Sequence, residues 1–377
     1  TANLPAGTAG DVIAFADYAA TWQTYNVTVT PNGTDKIGSL NDNAVLSTEG
    51  QSVTFVYVDS TQGWINTMDS TSNVRGSAFV AATGGTITTC GNFKTHIFTG
   101  PGTFTVTNSG VPTGSDTVDY LVVAGGGGAG ESLSGGSGAG GFRLSNSVGC
   151  ISAPTMSPLA SPTGLPVSVQ GYSIAVGGGG AAGPGSSLGI TSTFSTISSA
   201  GGGYSNGYAG GGNSGGSGGG GSGSAGTTLG GTGNTPPVSP PQGNNGGGSS
   251  SDCVGGGGGG ASASGGTGSG TCVGPGGDGS FIATAFVGPT APSYGESGPN
   301  GRYFSGGGGG GFRTPEHGGA NPASAGLGGG GFARVSDTGT DGATNTGGGG
   351  GGGNYDGAER NGGAGGSGIV IIRYKFQ

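Results

Sequence analysis

Short alternating or wholly apolar segments recur along this chain, and turn-forming residues separate them. Residues 26–30 alternate apolar and polar positions, which is typical of a strand with one buried face. Residues 119–124 and 369–372 are apolar nearly throughout, which favours strands buried on both faces. Glycine and serine interrupt every candidate for a helical apolar period, so no significant α-helix is predicted. The pattern therefore predicts a mostly β protein.

The first part of the chain, residues 1–85, has the pattern of a small β module. Its predicted strands are 12–15, 27–29, 53–58 and 64–66. Aromatic side chains mostly serve packing, so five of them are expected in the core of this module or at an interface: Trp22, Tyr25, Phe55, Tyr57 and Trp64.

Residues 86–377 have a different organisation. Further strands are predicted at 86–89, 95–99, 103–107, 119–124, 170–176, 194–197 and 369–376. A Gly-Pro-Gly turn at 100–102 predicts a hairpin between the second and third of these strands. The last strand is expected to pair with strands near 97–107 and 119–124. A β frame (93–124 and 369–376) would then enclose a body from 125 to 368.

Glycine supplies 102 of the 377 residues, and it comes largely in runs such as 255–260, 306–311 and 347–353. A glycine run has no side chain to bury and loses much entropy on folding, so it is disordered or packs through its backbone. Collagen is excluded, because its sequence has glycine at every third position, whereas these runs consist of consecutive glycines. Strands border the runs, which favours a bundle of polyglycine-II-type helices that bond sideways to one another. Disorder and irregular or β structure are the alternatives.

The charge, the apolar stretches and the cysteines limit which functions are expected of this chain. Charged residues make up 7% of the chain and the net charge is −8, without a basic patch, so nucleic-acid binding is not expected. No apolar stretch approaches the length of about 20 residues that spans a bilayer, so membrane insertion is not expected. The four cysteines match no metal-site spacing. Cys253 and Cys272 flank a glycine run and are candidates for a disulfide, with two unpaired cysteines as the alternative.

Four motifs in the glycine-rich part resemble the glycine-rich domain of tailed-phage fibre proteins, especially those of phages that infect marine cyanobacteria and other marine bacteria. The motifs lie at 119–130, 138–143, 172–180 and 366–374, and the resemblance covers about 93–377. Residues 10–18, 46–54, 56–59 and 63–64 resemble a small β repeat found upstream of such domains. In style, the runs are also similar to phage adhesins built from polyglycine helices. The chain is expected to follow a longer N-terminal region, because it lacks an initial methionine.

The resemblance implies a structural or adhesive subunit of a bacteriophage tail fibre, located in the virion and outside the cell. A rigid scaffold would present loops to a receptor on the host, either a surface glycan or an outer-membrane protein. Because fibres are usually trimers, a homotrimer is expected, together with contacts to other tail or virion proteins. No cofactor, metal or enzymatic activity is expected. The alternatives are a purely structural fibre or appendage protein and a tail-associated polysaccharide depolymerase.

The loops between the glycine runs contain two groups of candidate functional or structural residues. Aromatic and charged side chains of the kind that dominate binding surfaces are the candidate receptor contacts: Tyr204, Tyr208, Tyr294, Arg302, Tyr303, His317 and Tyr355. Three phenylalanines each follow a glycine run and precede an arginine, so we expect them to act as structural plugs at the end of the bundle: Phe142, Phe312 and Phe332. Acidic pairs such as Asp337 with Asp341 are interpreted as solvated turn residues rather than glycosidase carboxylates.

Overall fold

The structure is a computed structural model, and it describes residues 1–70, 78–112, 114–147, 151, 156–208, 210–223, 226–314, 323–335 and 337–377. The chain divides into two compact units, Thr1–Gly76 and Ser77–Gln377. The boundary lies nine residues before the predicted end at residue 85, because the strand Val80–Thr83 pairs within the second unit. Among the described residues, no helix has both the length and the apolar character needed to cross a membrane.

The first unit contains six strands in two small sheets. The strands are β1 (Ala2–Asn3), β2 (Val12–Ala16), β3 (Val27–Thr30), β4 (Ala44–Leu46), β5 (Ser52–Asp59) and β6 (Gly63–Ser70). The sheet orders are β1-β3-β4 and β2-β5-β6. Strand β5 alternates between half-buried and buried positions over most of its length, as a strand with one core face should.

The core of the first unit contains four of the five predicted aromatic residues. Trp22, Phe55, Tyr57 and Trp64 are all at most 9% exposed. Tyr25 lies outside the core, because this side chain is 73% exposed, and its prediction as an interface residue stays a prediction. It lies beyond a turn in which its N–H bonds to the Thr21 carbonyl, which places the ring outside the strand pattern.

Two larger sheets form the strand-rich part of the second unit. One has the order β17-β16-β15-β10-β7. Its strands are β7 (Val80–Thr83), β10 (Gly102–Ser109), β15 (Gly171–Ala175), β16 (Ser192–Phe194) and β17 (Ile197–Ser199). The other has the order β13-β12-β11-β21-β9-β8, with β14 paired to β11. Its strands are β8 (Thr86–Cys90), β9 (Phe93–Phe98), β11 (Thr117–Val123), β12 (Phe142–Ser145), β13 (Ala160–Ser161), β14 (Leu165–Pro166) and β21 (Ile369–Lys375).

The two central strands, β11 and β21, are covered on both faces. Even-numbered residues such as Tyr120 and Ile372 pack with Phe104 and Phe194 of the other sheet. Odd-numbered residues of the same strands, such as Leu121, belong to a second cluster on the opposite face. Double burial explains why the sequence is apolar nearly throughout here. The predicted pairing of the last strand is confirmed for β9 and β11, whereas β10, which covers most of 97–107, belongs to the other sheet.

The predicted hairpin across residues 100–102 is wrong. Strand β10 pairs with β7 and β15, whereas β9 pairs with β8 and β21. The Gly-Pro-Gly turn carries the chain from one sheet to the other. Both strands are thereby placed where each buries its apolar face in the sandwich core.

The remaining elements are small. A third sheet of the second unit has the order β18-β20-β19, with β18 (Ser280–Ile282), β19 (Glu296–Gly298) and β20 (Gly301–Phe304). The one α-helix among the described residues is α1 (Thr284–Val287), and 3₁₀ turns cover Gly183–Gly185 and Gly288–Ser293. The described chain is therefore mostly β with little helix, as predicted.

Candidate functional site

The glycine runs lie outside helices and sheets, and their main chains hydrogen-bond sideways to other runs. Segment 134–141 shows the pattern, because its N–H groups three residues apart bond to the same neighbouring segment. The pairs are Gly136 to Gly256, Ala139 to Gly259, Ser137 to Gly350, Gly140 to Gly347, Gly138 to Gly203 and Gly141 to Ala200, with N···O distances of 2.8–3.0 Å. A repeat of three residues is that of an extended helix of the polyproline-II type.

The carbonyl groups of segment 134–141 repeat the pattern with three further neighbours. They accept N–H bonds from residues of 308–311, 217–220 and 124–127. Segment 255–260 behaves in the same way: it donates to 308–311, 218–221 and 263–266 and accepts from 274–277, 136–139 and 244–247. Two segments in the middle of the bundle are therefore each bonded to six others. Peptide groups fill the interior that side chains fill in an ordinary core.

Such packing requires glycine. A Cβ atom on Gly258 would lie 1.9 Å from the Ser137 carbonyl oxygen, and one on Gly128 would lie 1.7 Å from that of Ala181. Ser137 is completely buried in the bundle, and its hydroxyl donates to the carbonyls of Gly127 and Gly350 at 2.6 and 2.9 Å. A small side chain therefore fits at this interior position, and its hydroxyl bonds to carbonyl groups of neighbouring segments.

The segments connect two ends of the second unit. At one end, which we call the strand end, segments 124–130 and 362–368 meet β11 and β21, and segment 134–141 leads into β12. At the other end, the loop end, the chain turns between segments. The loop end consists of 130–133, 181–186, 204–208, 226–228, 249–254, 269–272, 312–314, 332–335, 337–341 and 353–361.

Contacts between these turns make the loop end a continuous surface. Glu131 forms a β-bridge with Asn361, Val254 with Phe312, and Arg313 with Tyr355. The Ser186 hydroxyl donates to the Ser205 carbonyl at 3.1 Å. Each turn also continues from a segment of the bundle, so the hydrogen bonds between segments fix the positions of the turns.

The structure separates the candidate receptor contacts into the two ends. Tyr204, Tyr208 and Tyr355 lie at the loop end, and Tyr208 is the most exposed of them at 64%. The Tyr355 ring lies 5.4 Å from the Arg313 guanidinium. His317 lies outside the described residues.

Tyr294, Arg302 and Tyr303 lie at the strand end, and they contact their own segment. The Arg302 Nε donates to the Tyr294 carbonyl at 2.7 Å, and its Nη2 donates to the carbonyls of Pro292 and Gly295. Tyr303 is only 7% exposed, and its ring lies 5.5 Å from that of Phe281. The reason is that 281–304 supplies Phe286 and Phe304 to the apolar cluster under the sheet.

The three predicted plugs occupy different environments. Phe142 is buried in β12 within the large apolar cluster at the strand end. Phe312 is fully buried at the loop end beside Val254 and Ala333. Phe332 differs, because it is 44% exposed. The repeated sequence pattern therefore places rings at both ends of the bundle rather than at one.

Charged side chains concentrate in one corner of the loop end, and oppositely charged ones pair there. Arg360 bonds to Asp356 at 3.0 Å, and this contact raises the arginine's pKa. Arg334 bonds to Asp337 at 3.2 Å. The N–H of Thr338, followed by the Arg334 side chain, lowers the pKa of Asp337 below its ordinary value, so this carboxylate is ionised at neutral pH.

A surface cavity of about 300 Å³ opens in this corner. It is lined by Arg334, Asp337, Thr338, Gly339, Thr340 and Asp341. The sequence pattern around Asp337 and Asp341 indicates only turn residues, and the threonines carry no signal of a site. The cavity depends on long-range hydrogen bonds of this loop, such as Gly339 to Asn361, and the local sequence does not encode them.

The cysteines at the loop end do not form the suggested bridge. Cys253 is half-buried, and its carbonyl accepts the Arg313 N–H at 2.9 Å. Cys272 is exposed with a free thiol, in a turn where it bonds to Ser269. Lateral main-chain bonds already hold the ends of the 255–260 run, so the structure needs no cross-link there. Among the described residues, no group of three or more His, Cys, Asp or Glu side chains is placed to hold a metal ion.

Comparisons with known proteins identify the second unit. No curated protein matches the chain. A family described as "Glycine-rich domain" matches residues 98–375, which begin in β9, end in β21 and include every glycine segment described above. The chain therefore belongs to the glycine-rich domain family.

Proposed function

We propose that this chain is a structural and adhesive subunit of a bacteriophage tail fibre, located in the virion, and that its loop end binds a receptor on the host surface. One observation carries the proposal: the described turns at the loop end are fixed to a bundle whose segments bond to one another through the main chain. Recognition residues commonly lie on loops that a rigid scaffold positions.

The ion pairs at the loop end support a binding rather than a catalytic role. The paired arrangement of Asp356 with Arg360, and of Asp337 with Arg334, leaves these carboxylates in ion pairs. A depolymerase would instead need a carboxylic acid held protonated beside a second carboxylate. A purely structural fibre protein is the alternative, and it predicts no binding by the loop end.

Binding of the fluorescently labelled full chain to marine cyanobacterial and other marine bacterial isolates tests the proposal. We expect saturable binding to at least one strain. Exchange of 354–360 for a Gly-Ser segment of equal length should abolish that binding, because it removes Tyr355 and the Asp356–Arg360 pair. The matched control exchanges 41–43, an exposed turn of the first unit.

Two results would contradict the proposal. Equal binding by the 354–360 variant and the control would place recognition elsewhere. Absence of binding across the isolates, with the folded protein verified by circular dichroism, would favour the purely structural alternative.

A homotrimer is part of the same proposal. The first unit exposes apolar side chains that an interface between copies would cover, among them Val12, Tyr18, Tyr25 and Met68. Sedimentation equilibrium should give the mass of three chains, and a monomer mass at micromolar concentration would contradict this.

A further inference from the structure

Hydrogen bonds connect residues 337–341, which line most of the cavity, to the neighbouring segments on both sides. The Gly339 N–H donates to the Asn361 carbonyl and the Thr340 N–H to the Phe332 carbonyl, each at 2.9 Å. Asp341 Oδ1 accepts the Ala364 N–H at 2.7 Å. A preformed cavity loses little entropy when a ligand binds.

The lining combines hydrogen-bond donors and acceptors at close spacing. Arg334 supplies planar donors, Asp337 and Asp341 supply acceptors, and the Thr338 hydroxyl can do both. The Thr340 hydroxyl instead bonds to the Phe332 main chain, accepting from its N–H at 2.7 Å and donating to its carbonyl at 3.2 Å. The volume of about 300 Å³ is at the lower limit for small-molecule sites, which suits one sugar ring rather than a large ligand.

An exposed aromatic ring stands beside the cavity. Phe332 is 44% exposed, and its ring lies 5.6 Å from the Arg334 guanidinium that lines the cavity. The backbone of Phe332 bonds to Thr340 on the other side of the loop. The C–H face of a sugar ring can pack on such a ring while its hydroxyls reach the polar lining.

Charge favours a neutral ligand. One arginine and two aspartates line the cavity, so their sum is about −1 and an anion would face two carboxylates. A divalent cation is disfavoured, because Asp337 is already paired with Arg334.

We propose that the cavity lined by Arg334, Asp337 and Asp341, with the Phe332 ring at its edge, binds a neutral hexose unit of a surface glycan. This inference rests on the proposed function, and it names the class of receptor that the loop end recognises.

Saturation-transfer NMR on the full chain tests the inference. The probes are glucose, galactose, mannose and N-acetylglucosamine, with N-acetylneuraminic acid and inorganic phosphate as anionic probes. At least one neutral sugar should bind saturably in the millimolar range, and chelation with EDTA should leave its affinity unchanged. Phe332→Ala and Asp341→Asn should each weaken it more than tenfold, since the asparagine keeps the bond to Ala364 but loses the charged acceptor.

Leu229→Ala is the matched control, because it removes an exposed apolar side chain of the second unit, 77% exposed, that lies outside the cavity lining. It should leave sugar affinity unchanged. The inference is overturned if no neutral sugar binds, if only an anionic probe binds, if EDTA removes binding, or if Phe332→Ala binds as tightly as the unmodified chain.

The cell-binding experiment distinguishes failure of the sugar-site inference from failure of the proposed adhesive function. If the chain binds cells but no neutral sugar, the glycan inference fails and a protein receptor remains. If sugars bind but no cell does, the cavity is a sugar site and the adhesive role fails.

Discussion

His96 illustrates how much depends on a single side chain. It is completely buried between the sheets of the second unit. Its Nδ1 bonds to the Gly84 carbonyl at 2.7 Å, and its Nε2 lies 3.1 Å from the Tyr374 hydroxyl, which accepts the Ala82 N–H. The neutral ring satisfies every partner if Nδ1 carries the proton and Nε2 accepts from Tyr374.

Stability should therefore fall in mild acid. Burial lowers the pKa of His96 below its ordinary value, and the nearby Lys94 lowers it further. Below about pH 6.5 the unfolded chain binds a proton that the folded chain excludes until the lower folded pKa is reached. The free energy of unfolding should drop by up to about 1.4 kcal/mol per pH unit in that window.

Urea unfolding at pH 7.5 and pH 5.5 measures this effect. The His96→Gln variant is the comparison, because glutamine can donate and accept without titrating. We expect the unmodified chain to lose more stability on acidification than the variant does. Equal losses would show that His96 does not control the acid response.

At the scale of elements, the sequence predicts the features that depend on local residue pattern, such as which segments form buried strands. The apolar character of 119–124 and 369–372 correctly predicted strands buried on both faces. The hairpin prediction failed because a turn sequence specifies a reversal of direction but not which sheet the next strand joins. Likewise, a glycine run predicts lateral hydrogen bonding between segments. It does not predict which segments are neighbours, because glycine has no side chain that could specify a partner.

Single methyl groups should distinguish interior from edge segments. Gly258→Ala places Cβ 1.9 Å from the Ser137 carbonyl oxygen, so a neighbouring segment must move. We expect a loss of about 2–3 kcal/mol, as for overpacked cores. Gly178→Ala, also within a run, meets only the Ile190 side chain at 3.9 Å.

The Gly178 variant should be as stable as the unmodified chain or slightly more so, because alanine restricts the unfolded state. Thermal unfolding of both variants provides the comparison. Similar losses, or no loss for Gly258→Ala, would be inconsistent with peptide groups forming the interior.

At the scale of the molecule, the second unit is a bundle with a strand end and a loop end, and this division determines which candidate residues can contact a partner. Tyr208 and Tyr303 each follow a glycine within two residues, yet one is 64% exposed and the other 7%. The sequence therefore indicated that loops carry the binding residues, but not which loops lie together. That depends on the direction of every segment.

Amide hydrogen exchange, resolved by NMR or by mass spectrometry of short peptides, tests the lateral bonding most directly. The amides of 134–141 and 255–260 should exchange at least about a hundredfold more slowly than those of the exposed turn at 41–43, because their N–H groups bond to neighbouring segments. Exchange of these two glycine segments at the rate of an unstructured peptide, in protein whose β11 and β21 amides are protected, would mean that the bundle does not form and that nothing holds the loop end in place.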